Sequence, residues 1–326
     1  MRVLFAGTPA IGVPSLKVLG REEGITLAGV LTNPDKPRGR KGENRPSEIC
    51  EASLDILRLY KEQGRETFTI LKPEKLDTTA REEINNLKPD LLISFAYGHI
   101  FGPKFMALFP LGGINIHPSL LPKYRGPAPL QAAIINRDSE TGISIQKLAP
   151  EMDSGDILAA EYLQLTDSET TESLSEAVSL KAALMLPSVL EKIKKGEQGT
   201  AQDHSNASYC SIISRDDGLI DWEKQSAAEI EARIRAFIPW PLCRTIHNGR
   251  ELFILKAALF DENSVQGFPG QVLGTDKNGI LIQTGKGILA VKELQYQAKK
   301  ALFWQDFING ARDFTGSKLG QTGELL

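Results

Sequence analysis

Gly113-Ile114-Asn115-Ile116-His117-Pro118-Ser119-Leu120-Leu121-Pro122-Lys123-Tyr124-Arg125-Gly126-Pro127-Ala128-Pro129-Leu130-Gln131 is an apolar strand that runs straight into a proline-rich loop. Alternate residues of a strand face the same side, so the Asn115 amide and the His117 imidazole leave the sheet together. The loop carries Pro118, Pro122, Pro127 and Pro129, more proline than a simple turn needs, with Gly126 as a flexible hinge. A strand-end histidine beside an asparagine is more often a surface or turn pair than a site. A second loop, Glu151-Met152-Asp153-Ser154-Gly155-Asp156, shifts that balance, because it also follows a strand pattern and offers carboxylates.

Outward from this stretch the chain alternates strand and helix patterns. Apolar runs at residues 3–6, 26–31, 68–71, 90–95 and 113–117 read as strands, and residues 13–21, 79–87 and 130–136 as helices. This order predicts an α/β domain with a Rossmann-like, mostly parallel sheet covered by helices on both faces. Ligands of such sheets bind beyond the carboxyl ends of the strands, where His117 stands. Residues 143–148 and 157–165 alternate on either side of the acidic loop and read as a hairpin or sheet edge that returns Asp153 toward those ends. A helix pattern over 172–195 contains Pro187, which is expected to bend or break it.

The polar run over 194–200 reads as the start of a linker, and beyond it the period changes. A helix is expected at 227–236, then short strands near 243–247, 252–257, 270–273, 279–283 and 287–294. Asn248-Gly249 and Lys277-Asn278-Gly279 serve as turns. Short strands at this spacing predict a small β-barrel. The 326-residue length suits two domains: an α/β domain over 1–195, a linker over 196–212 and a smaller β-rich domain over 213–326.

A net charge of −3 excludes a nucleic-acid binder that works by bulk charge, so a polyanionic partner would need a local basic patch. The one dense basic run is Asp35-Lys36-Pro37-Arg38-Gly39-Arg40-Lys41-Gly42-Glu43-Asn44-Arg45. It reads equally as a solvated loop or as a mobile arm for phosphate contacts. Cys50, Cys210 and Cys243 are scattered and odd in number, which argues for a reducing, cytoplasmic compartment. No residue spacing suggests a metal. The apolar start is too short for a signal segment, and no stretch is expected to cross a membrane. Ala6-Gly7-Thr8-Pro9 is not a dinucleotide fingerprint and reads as a tight strand-to-helix turn.

Asn115, His117 and Asp153 form the central constellation. A carboxylate beside the imidazole is expected to raise its pKa and fix its tautomer. A protonated His117 and the Asn115 amide would then both donate to a developing oxyanion. No obvious nucleophile accompanies them, since Ser119 has no strand-turn-helix elbow around it. The set therefore suits acyl transfer directly from donor to acceptor, with no covalent enzyme intermediate.

These motifs resemble those of the 10-formyltetrahydrofolate-dependent formyltransferases. The likeness is carried by Asn115-x-His117, by Ser119-Leu120-Leu121-Pro122-Lys123-Tyr124-Arg125-Gly126 and by Asp153-Ser154-Gly155-Asp156. Phe5-Ala6-Gly7-Thr8-Pro9, Asn33-Pro34-Asp35-Lys36-Pro37, Ala96-Tyr97-Gly98 and Arg235-Ala236-Phe237-Ile238-Pro239-Trp240-Pro241 stand in the family's order across nearly the whole chain. Ala149, Glu151 and Pro118 depart from its commonest residues.

The resemblance implies catalytic roles for Asn115, His117 and Asp153. It implies folate contacts at Ser119, Leu120, Leu121 and Pro122, with Phe95, Ala96, Tyr97 and Gly98 walling the pterin pocket. Arg40, flanked by Arg38 and Lys41, falls where the family places a loop arginine that reaches a tRNA acceptor stem. The first domain would be the formyltransferase catalytic domain, and the second an OB-like C-terminal tRNA-binding domain. The implied donor substrate is 10-formyltetrahydrofolate, with no metal, and the acceptor is the α-amine of initiator methionyl-tRNA, for translation initiation. The protein is expected to be a monomer. The alternatives are a 10-formyltetrahydrofolate hydrolase and a formyltransferase for another amine, such as a nucleotide sugar.

Overall fold

The computed structural model describes residues 1–38, 42–311 and 313–320. The chain divides into two compact units. One comprises Met1–Pro129, Glu140–Gln164 and Ser175–Cys210; the other comprises Leu130–Ser139, Leu165–Leu174 and Ser211–Leu326.

The first unit is built on strands β1 (Arg2–Gly7), β2 (Thr26–Leu31), β5 (Thr69–Leu71), β6 (Leu91–Phe95), β7 (Gly113–His117), β8 (Glu140–Lys147) and β9 (Ile157–Gln164). They form one sheet in the order β5-β2-β1-β6-β7-β8-β9. Pairing is parallel from β5 through β7 and antiparallel for β8 and β9. This is the mostly parallel sheet expected from the alternating pattern. Central strands buried on both faces need a continuous apolar run, and all five residues of β6 are buried. Leu4 and Ala6 pack on one face with Leu31, Leu92, Phe105 and Phe109, while Phe5 and Ile49 close on Gly12.

Its helices are α1 (Val13–Leu19), α2 (Glu48–Glu62), α3 (Thr78–Asn86), α4 (Pro103–Met106) and most of α6 (Thr171–Lys194), while α5 (Pro129–Ile135) falls almost wholly in the second unit. Their starts are written in the sequence: Ser47 accepts from the Cys50 N–H at the head of α2, and Asp77 from that of Ala80 at the head of α3.

Three expectations are corrected. Pro187 neither ends nor splits α6, which runs unbroken through it. A proline removes one backbone hydrogen bond, and complete burial of Val178, Ala182, Leu186 and Val189 outweighs that loss. By length and composition α6 is also long and apolar enough to cross a membrane, contrary to the reading of the sequence. Half of its apolar window is buried inside the protein, as in a core helix. Lastly, the described ends of the basic run pair as a small antiparallel hairpin, β3 (Lys36–Arg38) with β4 (Glu43–Arg45), rather than forming open loop.

Strand β9 is one edge of the sheet, and β5 is the other. Two lysines of α6 lie over it. Lys181 Nζ donates to the Tyr162 carbonyl at 3.2 Å and Lys192 Nζ to that of Leu158 at 2.7 Å.

The second unit contains α7 (Ala227–Ala236), opened by a capping box between Ser226 and Glu229. Its strands are β10 (Cys243–His247), β11 (Arg250–Asp261), β12 (Val272–Asp276), β13 (Gly279–Gln283), β14 (Ile288–Tyr296) and β15 (Leu302–Phe303), and α8 (Trp304–Gly310) follows. The expected barrel is realised as an antiparallel sheet, β10-β11-β14-β13-β12 with β15 on β14, and bulges in β11 and β12 bend it. Asn248 and Gly249, both at positive φ, join β10 to β11 as the hairpin turn that the sequence predicts.

Candidate active site

Strand β7 pairs with β6 along one side and antiparallel with β8 along the other, so that Asn115 lies opposite Gln146 and His117 opposite Ser144. Asn115 is half-buried, whereas His117 is 3% exposed. The loop between β8 and β9 closes on itself. The Lys147 N–H donates to the Asp156 carbonyl at 2.9 Å, and Gly155 passes so close to the Lys147 carbonyl that a Cβ there would lie 1.9 Å from it. Asp153 adopts a positive φ of 51° in this loop, a conformation that Asp tolerates better than most residues.

The loop brings the Asp153 carboxylate onto both strand residues. Its Oδ1 accepts from Asn115 Nδ2 at 3.2 Å and from Gln146 Nε2 at 2.8 Å. Its Oδ2 accepts from the Gly126 N–H at 2.9 Å and stands 3.5 Å from His117 Nδ1. The three residues singled out in the sequence are thus one cluster.

His117 departs from expectation in the direction of its pKa shift. Nearly complete burial pushes its pKa below the ordinary histidine value, although the Asp153 charge and the Tyr124 carbonyl both act to raise it. The Tyr124 carbonyl, 2.8 Å from Nε2, can only accept, so Nε2 carries a proton. Nδ1 faces Asp153 Oδ2 at 3.5 Å, a distance too long for a good hydrogen bond.

Gly126 is no flexible hinge. Its φ is +117°, and a Cβ would lie 2.3 Å from the Cys210 carbonyl oxygen, so glycine is required by close approach. Ser119 is fully buried and its hydroxyl donates to the Lys123 carbonyl at 2.5 Å, which leaves it unsuited to act as a nucleophile.

Of the other expected contact residues, Phe95 and Tyr97 are buried and Leu121 nearly so. Ala96 and Gly98 are exposed, both at positive φ, and Leu120 and Pro122 are partly exposed. Surface for a ligand on these segments therefore comes from Ala96, Gly98, Leu120 and Pro122. Tyr97 stacks on Phe101 at 5.7 Å, and its carbonyl accepts from Thr8 and Asn33. Arg38 lies on β3, while Arg40 and Lys41 fall outside the described residues.

Two contributors escaped the reading of the sequence. Gln146 carried a weak signal: it alternates with Ser144 as a polar position between Ile143, Ile145 and Leu148, and pairs directly across from Asn115. The Gly126 N–H carried none, since a backbone donor shows no side-chain pattern.

Comparison with known proteins places this geometry in context. Residues 1–190 match the family model described as formyl transferase, and residues 212–312 match the formyl transferase C-terminal domain. The chain is 51% identical over 321 residues to a methionyl-tRNA formyltransferase of Treponema denticola, covering 96% of this chain and 98% of that protein. It is 43% identical to that of Treponema pallidum strain Nichols, covering 98% and 99%. A solved structure of an N-formyltransferase from Helicobacter canadensis, in complex with folinic acid and dTDP-3-aminofucose, superposes with a TM-score of 0.63 at 18% identity, covering 89% of this chain and 98% of that one.

Proposed function

The chain belongs to the formyl transferase family, and from that membership we propose that it moves the formyl group of 10-formyltetrahydrofolate to the α-amine of initiator methionyl-tRNA, in the cytoplasm, without a covalent enzyme intermediate. The observation that carries the reading is the convergence of Asn115 and His117 on the single carboxylate of Asp153. Identity over nearly the full length of proteins named methionyl-tRNA formyltransferases supports the choice of acceptor.

In the proposed reaction the methionine amine attacks the formyl carbon, and the C–N bond forms as the carbonyl π electrons move to oxygen. The second amide hydrogen of Asn115 donates to that oxyanion. On substrate binding His117 Nε2–H exchanges the Tyr124 carbonyl for the same oxygen; such contacts often form only in the complex. His117 Nδ1, beside the Asp153 carboxylate, takes the amine proton. The imidazolium so formed is stabilised by the adjacent carboxylate and gives the proton to N10 as the C–N10 bond breaks.

Leu120, Pro122, Ala96 and Gly98 offer the donor its contact surface, over the buried Phe95, Tyr97, Ser119 and Leu121. Arg38, Arg40 and Lys41 are assigned to the tRNA. On the second unit, Lys256, Lys277 and Lys292 line one open groove with Phe303 and Trp304. Basic and aromatic groups together suit a nucleic-acid backbone and its bases, which supports a tRNA-binding role for this unit despite its modest charge. The protein is taken to act as a monomer.

The test is an incubation with formyl-labelled 10-formyltetrahydrofolate, with and without methionyl-tRNA. Label should pass to the tRNA, with one tetrahydrofolate released per formyl transferred. Folate release that ignores the tRNA, with none of the label transferred, would overturn the proposal.

A further inference from the structure

Behind Asp153 lies a line of buried polar groups that the reaction above does not use. Gln146 is 1% exposed, Gln202 6% and Arg125 2%. The Arg125 guanidinium donates to Gln202 Oε1 from Nε at 3.2 Å and from Nη2 at 2.6 Å. Nη2 also meets His204 Nδ1 at 2.9 Å, and Nη1 meets the Tyr209 hydroxyl at 3.4 Å. Gln202 Nε2 donates to Gln146 Oε1 at 3.1 Å and to the carbonyls of Asp153 and Gly155 at 2.9 and 2.7 Å. Gln146 Nε2 then reaches Asp153 Oδ1 at 2.8 Å.

The direction of this line is forced. An amide can turn over and exchange its oxygen for its nitrogen, but a guanidinium has donors only. Arg125 therefore requires the oxygen of Gln202, which turns the Gln202 nitrogen toward Gln146. Gln146 must answer with its oxygen, and its nitrogen is left to face Asp153. Reversing either amide would set two donors or two acceptors against each other in a buried site. The same short segment acts twice more. The carbonyl of Tyr124 accepts from His117 Nε2–H, and the N–H of Gly126 donates to Asp153 Oδ2.

We propose that Arg125, Gln202 and Gln146 are positioning residues of the transfer reaction. They form a one-way amide relay, its polarity set by the buried guanidinium, which holds the Asp153 carboxylate where it can orient Asn115 and receive the His117 imidazolium. The inference rests on the transferase reading above. The relay touches neither substrate, so its loss should lower turnover and leave substrate binding largely alone.

Three variants test it alongside the wild type: Gln202→Glu, Gln146→Met and the two combined. Gln202→Glu still answers the Arg125 charge but removes the donor to Gln146. Gln146→Met keeps the side-chain volume and removes the last link. In each folded variant kcat should fall about tenfold or more, the scale expected when a working group is misplaced by a fraction of an ångström. KM for folate and for tRNA should stay within about threefold. The double variant should be no worse than the poorer single one, because the relay fails as a unit. Unchanged kcat in either folded single variant, a loss confined to KM, or losses that multiply in the double variant would each overturn the relay. If Gln202→Glu does not fold, Gln146→Met decides by the kcat criterion alone. A wild-type protein that transfers no formyl group defeats the transferase reading; an active wild type with undisturbed variants defeats only the relay.

Discussion

Asn115 commits one amide hydrogen to Asp153, and its half-buried position leaves the other for a ligand. Asn115→Ala should therefore lower kcat by about 10²–10³, the usual effect of losing one oxyanion donor, with the fold retained by circular dichroism. A folded variant turning over near the wild-type rate would remove Asn115 from the chemistry. Gly126→Ala should act through stability instead. It forces a Cβ against the Cys210 carbonyl at a φ of +117°, and should cost roughly 2 kcal/mol or more. Urea unfolding measures this, and a wild-type midpoint would show that the loop yields freely. The side chains of this cluster were legible in the sequence, because Asn115 and His117 stand at strand period beside an acidic loop. The lowered pKa of His117 was not. It depends on how completely the ring is buried, and burial arises from contacts with residues far along the chain.

Among the elements, the basic hairpin holds the clearest untested charge. Its strands pair through Lys36 with Arg45 and Arg38 with Glu43. Replacing Arg40 and Lys41 by Ala should weaken tRNA binding and leave the KM for folate unchanged. Each lost phosphate contact should also flatten the salt dependence of log K by about one unit. Titration of tRNA at several salt concentrations checks this, and an unchanged slope would take the run off the tRNA. Element order was largely readable from apolar periodicity. The exceptions are instructive: Pro187 sits inside an intact α6 because tertiary burial outweighs one missing hydrogen bond, and the hairpin strands are too short and polar to show an alternating pattern.

At the scale of the whole molecule, each unit buries one histidine in a form that acid disfavours. His117 lies in the first and His247 in the second, each 3% exposed, and burial lowers the pKa of both. His247 Nδ1 meets the Tyr296 hydroxyl at 2.6 Å, while its Nε2 makes no hydrogen bond among the described residues. With folded-state values below the unfolded value of about 6.5, both contribute stability that is complete above that pH. That stability is lost as pH falls from there through the folded-state values. Urea midpoints should therefore drop between about pH 7.5 and about pH 5.5. The drop should be smaller in His247→Gln, and an equal drop would assign the acid sensitivity to other groups.

The lysines of α6 that rest on β9 settle what the rim of the sheet can do. An uncovered outer strand is a template on which an incoming chain can add itself, rung by rung. Here the Tyr162 and Leu158 carbonyls already accept from Lys181 and Lys192. A newcomer would have to displace two ammonium groups before it could form a ladder. The sheet therefore ends at β9 by occupation, and the helix that closes the core also guards the margin against fibrous growth.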